Sequence, residues 1–450
     1  MIPEKVFTTA PEWDEAAFMA AHQEPPPVSI RYNPHKFDIS KLEIERVPWS
    51  AYGCYLNERP QFTLDPLFHA GAYYVQEASS MLIEQAFKQY AQASTPLSVL
   101  DLCAAPGGKS TLLASLLKAE DFLLSNEVIQ HRSNILVENL TRWGQLNTWV
   151  SNNDPKDIGK LSAFFDLMLI DAPCSGSGLW RKDPKAIDEW STAHVRLCME
   201  RQQRIIHDAL PALKPGGILI YATCSYSPEE NEQMLDWMLD MYPLESLSLP
   251  LAPDWSVTET QSAKHRAFGY RCYPWKLKGE GFFMAVLQKR ADAEGEAIKL
   301  TGKKHKHTAP AKGAKERFAA YLDTDFALLH NNDTFYALVP RHEDYWELLK
   351  SKLYIKKAGT ALGQLQKEVI PDHALALSIF LSKEIDRANL SRDEALQFLK
   401  KESVTIDQGW KGWRVASYEG LGLGWGKWLG NRMNNYFPKQ YRIRMDISQN

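Results

Sequence analysis

The chain is predicted to fold around an α/β domain with a doubly wound, mostly parallel sheet. Three observations carry this expectation. From Leu97 to about Lys289, short apolar runs alternate with stretches of helical periodicity, the pattern of a parallel sheet covered by helices on both faces. The run Ser98–Leu102 stops in a loop of small residues, Cys103-Ala104-Ala105-Pro106-Gly107-Gly108-Lys109, and an apolar-periodic segment from Thr111 to Leu117 follows. Strand, tight turn and helix in that order form the unit that holds a ligand at the strand ends of such a sheet. Two further apolar runs, Phe165–Asp171 and Ile218–Thr223, each lead into a cysteine, Cys174 and Cys224.

Composition bounds the rest. The 450 residues leave room for two or three domains. A net charge of −3 excludes a uniformly basic nucleic-acid binder and leaves only local basic patches for that task. No apolar run approaches the roughly 18 residues of a membrane span and no charged-then-apolar leader opens the chain, so a cytoplasmic protein without a membrane partner is expected. The six cysteines form no CxxC pair and no Cys/His cluster, which argues against a structural metal and against a disulfide scaffold.

Residues 1–95 read as a small N-terminal α+β module. A helix is expected from Ala10 to Ala21, with Thr9 as its cap, and Pro25-Pro26-Pro27 ends it. Val28–Tyr32 alternates as a strand, and Arg31, Tyr32, His35 and Lys36 are candidates to grip a nucleic-acid backbone. Ala78–Tyr90 reads as a helix leading into the core.

Residues 96–290 hold the α/β domain. Gly107 and Gly108 remove side chains where backbone must approach a ligand. The loop is not a dinucleotide fingerprint, which needs three spaced glycines. Nor is it a complete phosphate loop, whose first glycine would fall on Cys103. A phosphate-loop NTPase built on Gly108-Lys109-Ser110 and Asp171 nevertheless stands as an alternative from another class. Glu127 ends the second strand, 19 residues past Gly108, where a carboxylate binds ribose hydroxyls. A helix over Gln130–Trp143 and a strand over Asn147–Val150 follow, the latter ending near Asn153-Asp154, suited to the polar edge of a ligand ring. Cys174 and Cys224 end neighbouring strands and are expected to face one cleft, whereas Cys54, Cys198 and Cys272 read as packing and Cys103 as structural. The last core strand, Phe282–Leu287, follows a turn at Lys276–Gly281.

Residues 291–315 read as a basic linker, with six lysines and no acid in 299–315. Residues 316–450 resume globular composition, with a strand at Phe335–Val339 and a helix at Leu390–Lys400. Residues 408–450 carry seven Lys/Arg against two acids, interleaved with Trp410, Trp413, Trp425, Trp428, Tyr436, Phe437 and Tyr441. Cations and rings together suit RNA, and they equally suit a small aromatic core.

A ligand loop, a ribose carboxylate and two strand-end cysteines answer a specific chemical problem. Carbon 5 of a pyrimidine attacks an electrophilic methyl group poorly until a thiolate adds to carbon 6. Either cysteine fits that role on chemistry alone. Asp101-Leu-Cys-Ala-Ala-Pro-Gly-Gly-Lys109, Asp171-Ala-Pro-Cys-Ser-Gly176 and Ala222-Thr-Cys-Ser225 resemble the motifs of the Nop/Sun family of RNA 5-methylcytosine methyltransferases, across about 190 residues. Ile30-Arg31-Tyr32-Asn33 and the tail are similar to the bacterial branch acting on small-subunit (16S) ribosomal RNA.

The resemblance implies a class I, Rossmann-like methyltransferase fold with a mostly parallel seven-stranded sheet, a PUA-like C-terminal region for RNA, and S-adenosylmethionine as cofactor. It implies that Cys103, Ala104, Ala105, Pro106, Gly107, Gly108 and Lys109 wrap the cofactor, that Glu127 holds its ribose with support from Arg132, and that Asp154 meets the adenine. It further implies Cys224 as the nucleophile, Cys174 in product release, and Asp171 and Lys109 beside them. The expected partner is ribosomal RNA, free or within the small subunit, and the expected state is a monomer without metal. A transfer RNA substrate is the nearest alternative, and a non-catalytic ribosome assembly factor is one from another class.

Overall fold

A computed structural model describes residues 7–91, 95–183, 185–293, 295, 298, 313–404, 409–430 and 432–445. Most of the expected 291–315 linker, and the end of the tail, lie outside the described residues. Ten strands form the central sheet, numbered here within it: β1 Ser98–Asp101, β2 Phe122–Asn126, β3 Thr148–Ser151, β4 Phe165–Asp171, β5 Leu213–Thr223, β6 Leu244–Leu247, β7 Thr258–Gln261, β8 Phe268–Cys272, β9 Phe282–Lys289 and β10 Ile355–Lys357. Their order is β7-β8-β9-β5-β4-β1-β2-β3-β10, with β6 also paired to β9. The five strands β3-β2-β1-β4-β5 are parallel, and the chain reverses direction of travel between β1 and β4, the switch point where such sheets take ligands.

The parallel strands are buried on both faces, which is why they read as unbroken apolar runs. Leu100, Leu124, Met168, Ile170 and Tyr221 point to one layer, and Val99, Leu123, Leu169 and Ile220 to the other. Helices α1 (Gly108–Leu116) and α2 (Gln130–Trp143) follow β1 and β2, and α3 (Thr192–Ala209) and α4 (Glu232–Met241) flank β5. Leu112 and Leu113 cover the second layer, and Ile205, Ile206 and Met234 the first. The sheet exceeds the seven strands expected because antiparallel pieces extend both sides. One of them, β10, comes from beyond the linker and pairs with the free edge of β3. A three-residue strand reading Ile-Lys-Lys has no apolar alternation to announce it. Its register is held by Lys357, whose buried ammonium donates to the carbonyls of Thr148 (2.9 Å) and Gly359 (2.6 Å).

Several local expectations shift. The first helix is Glu15–Ala21, capped by Asp14, whose carboxylate accepts from Ala17 N. Thr9 is not its cap, because Glu12 takes a left-handed φ of 54° and breaks any earlier start. Residues 79–82 form a 3₁₀ turn before the helix Ile83–Tyr90. The helix expected at 390–400 is Arg392–Leu399, started by a capping box between Ser391 and Glu394.

In the N-terminal module, Val28–Tyr32 is the middle strand of a three-stranded sheet. Arg31 and Lys36 do not reach outward to grip a polyanion. Arg31 is 1% exposed and donates to Gln76 Oε1 (2.7 Å), Thr111 Oγ1 (2.7 Å) and Ser115 Oγ (3.0 Å), its guanidinium 4.7 Å above the Trp143 ring. Lys36 donates to the carbonyls of Ala70 (2.8 Å) and Arg142 (2.6 Å), and burial pushes its ammonium down to about 7. Tyr32 stacks on Phe37 with centroids 4.5 Å apart.

Residues 327–371 build one four-stranded sheet and 387–435 another. In the second, Trp425 and Trp428 are 1% exposed and therefore core, while Tyr436 remains open at 44%. Part of the aromatic interleaving in the tail thus serves packing rather than a stacking surface.

Arg31 joins the N-terminal module to α1 by charged hydrogen bonds and to α2 by its place over the Trp143 ring. Arg31→Ala is expected to destabilise the protein by about 2–4 kcal/mol, read as a shift in the urea unfolding midpoint.

Candidate active site

The loop after β1 starts the site. Ala104 N donates to Asn126 O (2.8 Å) on the neighbouring strand, Arg132 Nη2 to Ala105 O (2.6 Å) and Asn139 Nδ2 to Pro106 O (2.8 Å). The Ala105–Pro106 bond is cis. Gly107, at φ 116°, turns the chain into α1 in a conformation that favours glycine. A Cβ on Gly108 would press on the Tyr74 ring at 3.2 Å. Tyr74 and Gln76 of the N-terminal module therefore roof a cleft whose floor is Cys103–Pro106, Gly108 and Lys109 and whose far wall is Asp171. The Cys103 thiol is pushed upward there by burial and by Asp101, Asp171 and Glu127.

Glu127 and Arg132 come together as expected, 3.5 Å apart. Glu127 Oε1 accepts from Ile129 N (2.8 Å), which leaves Oε2 facing Arg132 as an acceptor. Asp154 sits at the end of β3, and its carboxylate caps the short helix Pro155–Gly159 through Lys156 N (3.0 Å) and faces Arg204 at 3.6 Å. Asn126 and Asn153, beside it, tie the strand ends together. Asn126 Nδ2 donates to Asn153 O (3.0 Å), and Asn153 Oδ1 accepts from Tyr354 N (2.9 Å) at the start of β10.

Lys109 Nζ donates to Asp171 Oδ2 at 2.7 Å, the ammonium lying 5.5 Å from the Phe282 ring. Burial alone would lower the lysine, but Asp171, then Cys224 and Asp101, more than offset it and hold the ammonium above its ordinary range. The charge therefore stays in place at neutral pH.

The strongest agreement concerns the two cysteines. In the parallel ladder Asp171 lies opposite Ala222, so the chain leaves both strands at one level. Cys174 Sγ and Cys224 Sγ stand 3.2 Å apart, both free thiols. Their mutual hydrogen bond, then burial, holds the Cys174 thiol well above its ordinary range, with Glu230 adding to the effect. Gly178 N donates to Cys224 O (2.8 Å), and a Cβ on Gly178 would meet Gly281 O at 2.4 Å and Cys224 O at 2.8 Å, so only glycine fits. Cys54, Cys198 and Cys272 are buried, as their reading as packing expects.

A buried carboxylate beneath this pair escaped the reading of the sequence. Glu230 accepts from Ser175 N (2.8 Å), Ser175 Oγ (2.5 Å), Ser225 Oγ (2.5 Å) and Gln202 Nε2 (3.3 Å). Beside it Thr223 Oγ1 donates to Asn231 Oδ1 (2.6 Å), and Asn231 Nδ2 to Ser225 O (2.8 Å). The only signal in the chain is Ser227-Pro228-Glu229-Glu230-Asn231 directly after Cys224. Nothing in that run separates Glu229 from Glu230, because a 3₁₀ turn carries them and aims one inward. Among the described residues no group of three His, Cys, Asp or Glu side chains is arranged to hold a metal, and no helix is long and apolar enough to cross a membrane.

The family profile described as 16S rRNA methyltransferase RsmB/F matches residues 91–288. The N-terminal domain of 16S rRNA methyltransferase RsmF matches residues 4–78, and the methyltransferase RsmF PUA domain residues 387–443. The ribosomal RNA small subunit methyltransferase F of Psychromonas ingrahamii is 31% identical over 94% of this chain and 92% of its own length. The chain belongs to the ribosomal RNA small subunit methyltransferase F family. The Shewanella piezotolerans member is 30% identical over the same shares. A methyltransferase homolog protein from Pyrococcus horikoshii superposes with a TM-score of 0.53 at 31% identity, over 63% of this chain and 93% of that one. The family match makes the α/β domain a Rossmann-like methyltransferase domain and the C-terminal sheet at 387–435 part of a PUA domain.

Asp101, at the end of β1, is fully buried, with Ser110 Oγ bonded to Oδ2 (2.6 Å) and Oδ1 unpartnered. Burial raises its carboxyl to about 7, the Ser110 bond offsetting part of the shift. A carboxyl raised on folding binds more protons in the native state, so its contribution to stability falls as pH rises from about 4 to about 7. Asp101→Asn is expected to remove about 2–3 kcal/mol of the stability lost between pH 5 and pH 8, measured by denaturant unfolding at both values.

Proposed function

We propose that the chain is an S-adenosylmethionine-dependent RNA cytosine-5 methyltransferase acting on small-subunit ribosomal RNA through a covalent cysteine adduct. The observation that carries this reading is the 3.2 Å approach of Cys174 and Cys224 beside the Asp171–Lys109 pair. The family's relatives bear the name of small-subunit ribosomal RNA methyltransferases, which supports the substrate class.

The residues present fit the cofactor. The Cys103–Lys109 backbone lies open along one wall because Gly108 has no side chain against Tyr74, and Glu127 Oε2, held toward Arg132, keeps acceptor capacity for vicinal hydroxyls. Cys103–Lys109 would cradle the methionine end, Glu127 and Arg132 the ribose, and Asp154 the adenine side. S-adenosylmethionine, when bound, supplies the electrophilic methyl group that carbon 5 acquires.

The protein's own groups do the rest. The Cys224 thiolate adds to carbon 6, forming a carbon–sulfur bond and pushing the electron pair of the 5,6 double bond toward carbon 5. Asp171, fixed by Lys109, orients the base. After methylation the carbon-5 proton leaves to a base, the carbon–sulfur electrons return to the ring, and Cys224 departs as thiolate. Cys174, one hydrogen bond from Cys224, serves this release. A non-catalytic scaffold has no use for two thiols at this distance, and the glycine missing at Cys103 speaks against a phosphate loop.

The two cysteines separate the steps. Cys224→Ala should form no adduct and lose methylation while still binding cofactor by calorimetry. Cys174→Ala should attack and then release slowly, accumulating a protein–RNA species stable to denaturing electrophoresis. Accumulation in Cys224→Ala and none in Cys174→Ala would exchange the roles.

A further inference from the structure

The geometry points to Glu230 as a positioning residue that sets the separation of the two active-site thiols. Its part in turnover rests on the covalent reading above. Ser175 directly follows Cys174, and Ser225 directly follows Cys224. Both hydroxyls donate to one oxygen of the same carboxylate, Glu230 Oε2, each at 2.5 Å. The other oxygen takes the backbone N–H of Ser175 and the amide of Gln202, whose own Nε2 also reaches Pro173 O at 3.1 Å. The Pro-Cys loop and the Thr-Cys loop are thus tied to one point, one residue beyond each sulfur.

This arrangement is costly for a purely structural clasp. Glu230 is fully buried, and among the described residues no ion pair is made with it. Burying a carboxylate without a cation costs several kcal/mol unless its lone pairs are filled. Four donors fill them here, which makes the geometry of those donors stiff. Tyr221 Oη on β5 lies within hydrogen-bond distance of Glu230 O (2.7 Å) and Gln202 Oε1 (3.0 Å) and donates its one proton between them, so the backbone of Glu230 and its amide partner are braced from the sheet. The carboxylate takes no part in the cleft. It acts through the two serines, and what it determines is whether one thiol reaches the other.

The test reads that distance directly. Diamide, a mild azo oxidant that takes up two thiol hydrogens as a disulfide closes, is applied to the full-length protein, and the Cys174–Cys224 bridge is followed by mass spectrometry of the alkylated peptides. In Glu230→Ala the bridging rate should fall about ten- to a hundredfold, the scale expected for a displacement of roughly 1 Å between reacting groups. Glu230→Gln keeps an oxygen for Ser175 N and offers an amide to the two hydroxyls, so it should bridge close to the wild-type rate. With ribosomal RNA and cofactor, Glu230→Ala should build up the covalent protein–RNA species, because Cys224 still attacks and Cys174 no longer reaches it. Glu230→Gln should not. Thermal melting accompanies each variant, and if Glu230→Ala does not fold, Ser175→Ala combined with Ser225→Ala decides, with slowed bridging expected. Wild-type bridging or wild-type turnover in folded Glu230→Ala, or in the double serine variant where it takes that place, overturns the inference. Bridging that depends on Glu230 while no variant, Cys174→Ala included, ever traps RNA would uphold the positioning role and refute the covalent reading.

Discussion

The parallel register between β4 and β5, Asp171 opposite Ala222, is the constraint on which the site depends. Parallel strands deliver their carboxyl ends to one edge, and only there do two loops 50 residues apart in sequence begin at the same height. From that level, three residues carry the chain to Cys174 and two carry it to Cys224. A slip of one residue in either strand would send that strand's side chains to the wrong core layer and carry its cysteine away from the other. The register is held by the alternation of Leu167, Leu169 and Ile220 on one face with Met168, Ile170 and Tyr221 on the other, so packing far below the cleft determines chemistry at its rim.

Around that edge the protein places charge with care. Asp171 is matched by Lys109, and Glu127 by Arg132. Among the described residues Asp101 and Glu230 make no direct ion pair and are stabilised by hydrogen bonds from serines instead. Of the paired acids, Asp171 lines the cleft and is partly wetted, whereas Glu127 is buried and meets a half-exposed Arg132. The unpaired ones lie under the loops, where they act as anchors whose raised carboxyls report the cost of burial.

The flanking modules are not appendages of the catalytic sheet. The N-terminal module roofs the loop after β1 with Tyr74 and is pinned to α1 by Arg31. The C-terminal part donates β10 to the open edge of β3, and Asn126 and Asn153 carry that attachment to the loop after β1. An exposed parallel edge is a liability for aggregation, and here it is covered by the same region that leads into the PUA domain. Leu64 and Ala70 of the N-terminal module share a core with Leu396 and Phe398 of the C-terminal region, so the two modules close on each other.

The α/β class, the strand-end loop, Glu127 and the placement of both cysteines were legible in the sequence, because each depends on a local signal: an apolar run, a glycine pair or a fixed spacing from a strand. Local signals say little about partners distant in the chain. Arg31 looked like an exposed basic residue, and only the approach of Thr111 and Ser115 makes it a buried tie. The tryptophans of the tail were open to two readings until pairing of Trp410–Tyr418 with Leu421–Gly430 buried Trp425 and Trp428. Strand β10 has no apolar pattern, and Glu230 has no periodicity to mark it off from Glu229. What the sequence determined by itself was which residues stand at the ends of buried strands, since burial on both faces demands continuous apolar runs. What the tertiary structure alone decided was which polar groups those ends confront, since a carboxylate 55 residues from Ser175 becomes its nearest partner only when the register is closed.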